Sequence, residues 1–261
     1  MSSEEPFLTK KQYKHIDQSI QRLIDRDGVD RKTLDEVFDR STLLSIEKLI
    51  SNKIIDYIDF PISSGKEGNV FLGITPDEKS VAIKIYRIST ATFKHMNKYI
   101  QGDPRFESIH KSRRDIIYAW TSKEYKNLQI LETLKLPAPQ PIKKINNVVV
   151  MEFIGKNRQP ASLIKDCVIK NPEKTSDTIL SAIKKMYTKA NLVHCDLSPF
   201  NILYYKEKPY LIDLGQAVLL DHPHAIEFLK RDIKNICQYF QRYKLNNDPV
   251  EIFENITKQK W

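Results

Sequence analysis

The chain has 261 residues, is 41% hydrophobic and 29% charged, and sets 42 Lys and Arg against 33 Asp and Glu for a formal net charge of +9. That length suits one large or two small domains with a sizeable core, and the balance is that of an ordinary globular protein rather than a disordered one. No apolar run approaches the roughly 18 residues of a membrane span, and Met1-Ser2-Ser3-Glu4-Glu5 has neither the basic start nor the apolar core of a signal peptide, so no membrane partner is expected. Cys167, Cys195 and Cys237 stand apart without metal-ligand spacing, which suggests reduced thiols in a cytoplasmic setting. The basic balance suits either a solvated lysine-rich face or an RNA-rich partner.

The first 56 residues show helical periodicity. Ile16, Ile20, Leu23 and Ile24 share a face before the Asp27-Gly28 break, Thr33 and Glu36 form a capping-box signature, and a third helix is expected from Ser41 to about Asn52. A small helical cap follows from this; a winged-helix DNA reader lacks a clear recognition helix. From Ile55 the period shortens to that of strands. Ile58–Ile62, Asn69–Ile74 and Ser80–Ile85 are three short strands, the last two joined by a turn at Thr75-Pro76-Asp77-Glu78. Between the first two lies Ser63-Ser64-Gly65-Lys66-Glu67-Gly68-Asn69, whose small residues let backbone N–H groups approach phosphate oxygens. It is not a Walker A loop, because Glu67 rather than Ser or Thr follows Lys66 and a strand rather than a helix comes next. On its own it is a weak signal, more simply explained as a hairpin turn.

Val81-Ala82-Ile83-Lys84 reproduces the V-A-I-K strand whose lysine pairs the α- and β-phosphates of ATP. Residues 86–115 show no sustained period and many charges, as a flexible loop would. An amphipathic helix from Trp120 to Leu131 carries Glu124, a candidate partner for Lys84 that could also be a solvated helix glutamate. Pro137–Pro141 is an extended linker. Val148–Ile154 is a buried strand ending before Gly155; Glu152 and Ile154 could offer backbone groups to an adenine edge, with Met151 lining that pocket. Ser176 to about Ala190 is helical; Ile226, Leu229, Ile233, Ile236, Cys237 and Phe240 form a later helical core face, and Pro249 begins one more short helix.

The densest chemistry lies between Leu192 and Gln216. His194, Asp196 and Asn201 have the spacing H-x-D-x-x-x-x-N of a protein-kinase catalytic loop, and Asp213-Leu214-Gly215 stands where D-F-G would. Asp196 is the candidate base, Asn201 and Asp213 the candidate magnesium ligands. No A-P-E triplet follows Asp213, and little chain remains for an activation segment.

Taken together, these residues resemble the RIO family of atypical protein kinases, first subgroup, over nearly the whole chain. The resemblance rests on Ser63–Val70 in place of a glycine-rich loop, Lys84-Ile85-Tyr86-Arg87, Met151–Gly155, His194–Ser198 and Ile212–Val218. Gly68 and Cys195 depart from it, standing where alanine is the more usual residue. The resemblance implies an α+β, two-lobed, trimmed kinase-like fold with an N-terminal helical extension: a cap over 1–56, an N-lobe over 57–153 including the flexible loop, and a C-lobe over 154–261. It implies a minimal, archaeal-type member that uses ATP with Mg2+, or Mn2+ in its place, and works on the precursor of the small ribosomal subunit and its RNA. It leaves two chemistries open, a serine/threonine kinase and an ATPase that passes through a phosphorylated Asp213. A separate reading is a nucleotide-switched assembly factor whose hydrolysis only times release from the precursor RNA. A small-molecule phosphotransferase of the aminoglycoside or choline type shares H-x-D-x-x-x-x-N, but the basic stretch from Lys94 to Arg114 argues against a cationic substrate.

Overall fold

The structure is a computed structural model that describes residues 37–65, 68–88, 93–106 and 112–261. The first expected helix and the start of the second, together with Lys66 and Glu67, lie outside the described residues. Two compact units are formed: the described residues of Met1–Ala91 with Ile142–Phe153, and those of Thr92–Pro141 with Ile154–Trp261.

In the first unit, helix α1 (Arg40–Ser51) starts at Asp39, whose carboxylate accepts the Thr42 N–H at 2.8 Å and satisfies one of the helix's orphan donors. The helix turns Ile46 and Leu49 onto a five-stranded sheet ordered β1-β2-β3-β5-β4, with β1 Tyr57–Ser64, β2 Gly68–Ile74, β3 Ser80–Tyr86, β4 Pro141–Ile145 and β5 Val148–Glu152. β1–β2, β2–β3 and β3–β5 pair antiparallel. Strand alternation sends Ile83 and Ile85 into the core with Phe71 and Val150, and the Phe38 ring packs tilted against Phe71 at 5.3 Å between centroids. Each such apolar side chain contributes about 1.5–3 kcal/mol on burial. Pro61 has no N–H for the ladder and sits between two register shifts in β1, where a bulge removes the need for one. Buried Asn147 ties α1 to the sheet, donating to Thr42 Oγ1 at 2.7 Å and to the Tyr86 carbonyl at 2.9 Å.

The second unit is mainly helical: α2 (Phe93–Ile100), a 3-10 turn at Pro104–Phe106, α3 (Arg113–Thr133), α4 (Pro172–Ala190), α5 (Ala225–Gln241) and α6 (Pro249–Thr257). Side chains of Ser112, Asn171 and Asp248 cap α3, α4 and α6, and Asn191 ends α4 in a left-handed conformation at φ 50°. Short antiparallel pairs join β6 (Gly155–Lys156) to β7 (Gln159–Pro160), β8 (Leu192–Val193) to β11 (Val218–Leu219), and β9 (Ile202–Tyr205) to β10 (Lys208–Leu211). Only Leu220–His224 separates β11 from α5, which leaves no length for an activation segment.

The aperiodic reading of 86–115 needs correction. It contains α2 and the 3-10 turn, and α3 begins at Arg113, well before Trp120. Met96 and Tyr99 are buried, and Tyr99 packs against Trp120 of α3 and Phe228 of α5 at 6.2 and 5.4 Å between centroids. Two large apolar residues at i, i+3 spacing suffice for this, but the polar and charged residues around them hide the pattern. The linker after Pro137 also proves shorter than expected, because β4 begins at Pro141.

Candidate active site

In the first unit, the turn between β1 and β2 is closed by backbone bonds. Ser63 and Ser64 end β1, and Gly68, Asn69 and Val70 open β2; Ser63 pairs with Val70 and Ser64 with Asn69. The Gly65 N–H donates to the Gly68 carbonyl at 2.9 Å, so only Lys66 and Glu67 lie between the closing residues. Asn69 is buried and fixed from both sides: its Nδ2 donates to Ser64 Oγ at 3.2 Å, and Arg87 donates to its Oδ1 through Nε at 3.0 Å and Nη2 at 2.8 Å. Arg87 thereby fixes the side chain that opens β2. Gly68 leaves no room for the alanine expected there, since a Cβ would lie 2.4 Å from the Ile85 carbonyl oxygen. Lys84 pairs with Val70 across the ladder, on the face opposite Ile83 and Ile85; it is 7% exposed, with Nζ 4.9 Å from the Tyr86 ring centroid. Met151 is buried at the end of β5 beside exposed Glu152.

The second unit carries the acids. Glu124 lies on α3 and is 1% exposed, so it is not a solvated helix glutamate. Ile154 is buried, and its carbonyl accepts the Ala161 N–H at 2.9 Å. Asp196 and Asn201 belong to the loop between β8 and β9, and Asp213 to the loop after β10. Asn201 Nδ2 donates to both the Asp196 carbonyl at 2.8 Å and Asp196 Oδ2 at 2.9 Å. The Asn201 carbonyl in turn accepts the Ile212 N–H at 3.0 Å, and His194 Nε2 lies 3.1 Å from the Ile212 carbonyl. These bonds bring Asp196, Asn201 and the strand leading to Asp213 into one cluster. Burial, then the negative charge of Asp213, holds the Asp196 carboxyl above its ordinary range, while Asn201, Arg231 and Lys98 oppose the rise.

Behind the catalytic loop is a scaffold that motif spacing does not reveal. Asp232 on α5 is 1% exposed and accepts the Cys195 N–H at 2.8 Å and the Leu197 N–H at 3.0 Å, one on each oxygen. Burial pushes this carboxyl up to about 8, against the pull of those two N–H groups and Arg231. Arg231 donates to the Cys195 carbonyl and Asn235 Nδ2 to the Leu197 carbonyl at 3.1 Å. Cys195 has φ 69° and Asp213 φ 63°, left-handed values that are uncommon for non-glycine residues.

The donor set fits a magnesium ion. Mg2+ takes oxygen from one or two carboxylates and completes its shell with phosphates and water. Asp213 supplies a carboxylate, and Asn201, with Nδ2 committed twice, has Oδ1 left to offer. The negative charge of Asp213 adds to burial in raising the cost of ionising Asp196, and a nearby cation would relieve it. Among the described residues no three His, Cys, Asp or Glu side chains form a separate metal cluster, and no helix is long and apolar enough to cross a membrane.

Residues 69–252 match the RIO domain family. The chain is 36% identical over 250 residues to the RIO-type serine/threonine-protein kinase Rio1 of Haloferax volcanii, covering 96% of this chain and 85% of the relative. It is 40% identical over 238 residues to the human serine/threonine-protein kinase RIO1, covering 89% of this chain but only 42% of the human protein. Among solved structures, the Rio2 kinase of Chaetomium thermophilum, in its ADP/Mg2+-phosphoaspartate complex, aligns with a TM-score of 0.68 at 17% identity, covering 96% of this chain and 86% of that one. The mixed α+β kinase-like fold is thereby shared.

Proposed function

The chain belongs to the RIO family of atypical protein kinases, in its Rio1-type branch, and from that membership we propose that it transfers the γ-phosphoryl group of ATP to serine or threonine hydroxyls of a protein. The observation that carries this reading is the cluster in which Asn201 binds Asp196 while its own carbonyl holds the strand leading to Asp213. Phosphoryl transfer asks a protein mainly for positioning and for neutralising charge on the phosphate oxygens. In this proposal the Ser63–Val70 turn offers N–H groups and hydroxyls to the phosphate chain. Lys84, oriented by Glu124, takes the α- and β-phosphates, and Met151, Glu152 and Ile154 receive the adenine. Asn201 and Asp213 would hold magnesium, which when bound would supply positive charge to neutralise the phosphate oxygens. Asp196 accepts the proton of the attacking hydroxyl as the oxygen–phosphorus bond forms and the bond to the leaving ADP breaks. The raised Asp196 carboxyl supports this role, because a general base works best with a pKa near the working pH.

A second reading makes Asp213 the acceptor: its carboxylate oxygen takes the γ-phosphoryl group, ADP leaves, and water later cleaves the acyl phosphate, giving net ATP hydrolysis. The phosphoaspartate of the Rio2 complex motivates it. The net charge of +9 supports an RNA-bearing partner, for which we propose the small-subunit precursor in the cytoplasm. Incubation with γ-labelled ATP, with and without that precursor, tests all of this. Label on serine or threonine of a protein establishes the kinase; hydroxylamine-sensitive label on Asp213, absent from Asp213→Ala, establishes the ATPase cycle; label only in free phosphate, released faster with the precursor, leaves a nucleotide-timed assembly factor.

A further inference from the structure

The loop that carries Asp213 is held by side chains from far away in the chain. Asp213 itself has a left-handed φ of 63°. Asn127 Nδ2 on α3 donates to the Leu214 carbonyl at 2.9 Å, and Arg105 Nη2, on the 3-10 turn, donates to the Ala217 carbonyl at 3.1 Å. The two holders are themselves joined, since Arg105 Nη1 donates to Asn127 Oδ1 at 2.9 Å. That bond fixes which end of the Asn127 amide faces Leu214. Arg105 is oriented in turn by Asp103, through Nε to Oδ1 at 2.8 Å and Nη2 to Oδ2 at 2.6 Å. Asp103 and Asn127 are buried. Burial pushes the Asp103 carboxyl up, but Arg105 and then Lys123, whose Nζ lies 3.6 Å from Oδ2, outweigh it and leave the group below its ordinary range. Asp103 is therefore an ionised anchor for the guanidinium.

We propose that Arg105 is a positioning residue for Asp213, holding the 213–217 loop directly through Ala217 and indirectly, by way of Asn127, through Leu214. The inference rests on the reading of Asp213 as a magnesium ligand. Its geometry requires arginine: three planar nitrogens reach Asp103, Asn127 and Ala217 at once, and the single nitrogen of lysine cannot. The segment around α2 thus does more than fill space beside α3; its last turn sets the loop that presents the metal ligand.

Calorimetric titration with ADP, with and without Mg2+, tests the proposal independently of turnover. Wild type is expected to bind ADP more tightly when Mg2+ is present, and Asp213→Ala to abolish that gain. Arg105→Ala and Arg105→Lys are expected to lose about tenfold of the gain, the scale on which residues behind metal ligands act, while metal-free ADP affinity stays within about twofold. Asn127→Ala gives a similar loss, and the double variant loses no more than either single one, because both act on one loop. A role confined to stability lowers the unfolding temperature and leaves the Mg2+ gain intact. Should Arg105→Ala not fold, Arg105→Lys, which keeps the charge and most of the bulk, carries the decision. Full retention of the gain in a folded Arg105 variant, alongside its loss in Asp213→Ala, overturns the proposal. If Asp213→Ala keeps the gain, the metal reading of Asp213 fails first and the role of Arg105 with it.

Discussion

The β1–β2 turn beside Lys84 and the loop around Asp196 are built in opposite ways. The turn is made by main-chain ladders between strands adjacent in sequence, Ser64 opposite Asn69 and Val70 opposite Lys84. The acid loop has few ladder bonds of its own. Its N–H groups and carbonyls are taken by side chains 35 to 38 residues away on α5, and the Leu214 and Ala217 carbonyls by side chains 87 and 112 residues away. One region is determined locally, the other by the completed fold. They should therefore fail differently, the turn when atoms are added and the acid loop when atoms are removed.

The largest effect expected is chemical. Asp196→Asn removes the proton acceptor while keeping an amide-sized group beside Asn201, so phosphoryl transfer falls by about a hundredfold or more with ATP affinity nearly unchanged. A comparable loss of ATP binding would contradict the assignment. Next comes removal of the scaffold. Asp232→Ala leaves the Cys195 and Leu197 N–H groups buried without an acceptor, at about 1–3 kcal/mol each, read as a lower urea midpoint together with lost activity. A stable, active Asp232→Ala protein would break the contrast between the regions. On the other side, Gly68→Ala forces a methyl against the Ile85 carbonyl and is expected to cost about 1–3 kcal/mol and to weaken ATP binding.

The smallest effect is on pH dependence. Because the folded-state pKa of Asp196 is raised above its ordinary value of 3.8, its ionisation penalises the folded state. Wild type should accordingly lose stability relative to Asp196→Asn as pH rises from 3.8 through the higher folded value, seen in paired urea titrations. Lys98 opposes the rise, so Lys98→Ala should move the acidic limb of the pH–rate profile upward. An unmoved limb would separate Lys98 from the site.

What can be read from the sequence follows the same division. Lys84 is legible because Val81, Ile83 and Ile85 alternate around it, and Asp196, Asn201 and Asp213 because their spacing lies within single loops. Asp232 escapes motif spacing although a signal is present: it falls on the same stripe as Leu229, Ile233 and Ile236, where a carboxylate must be buried and bonded. Asn127 offers the same clue between Glu124 and Leu131 on α3. Arg105 offers none. Its partners span Asp103 to Ala217, and no local pattern encodes a contact that only the folded chain creates.

Cys195, one residue before Asp196, is fully buried, and its thiol is pushed far up, first by burial and then by the charge of Asp232. A thiol in that state is nearly inert toward alkylating reagents while the loop stays closed. It is therefore a native timer: the rate at which Cys195 becomes labelled reports how often the catalytic loop opens, with partly exposed Cys167 as the internal standard that reacts first.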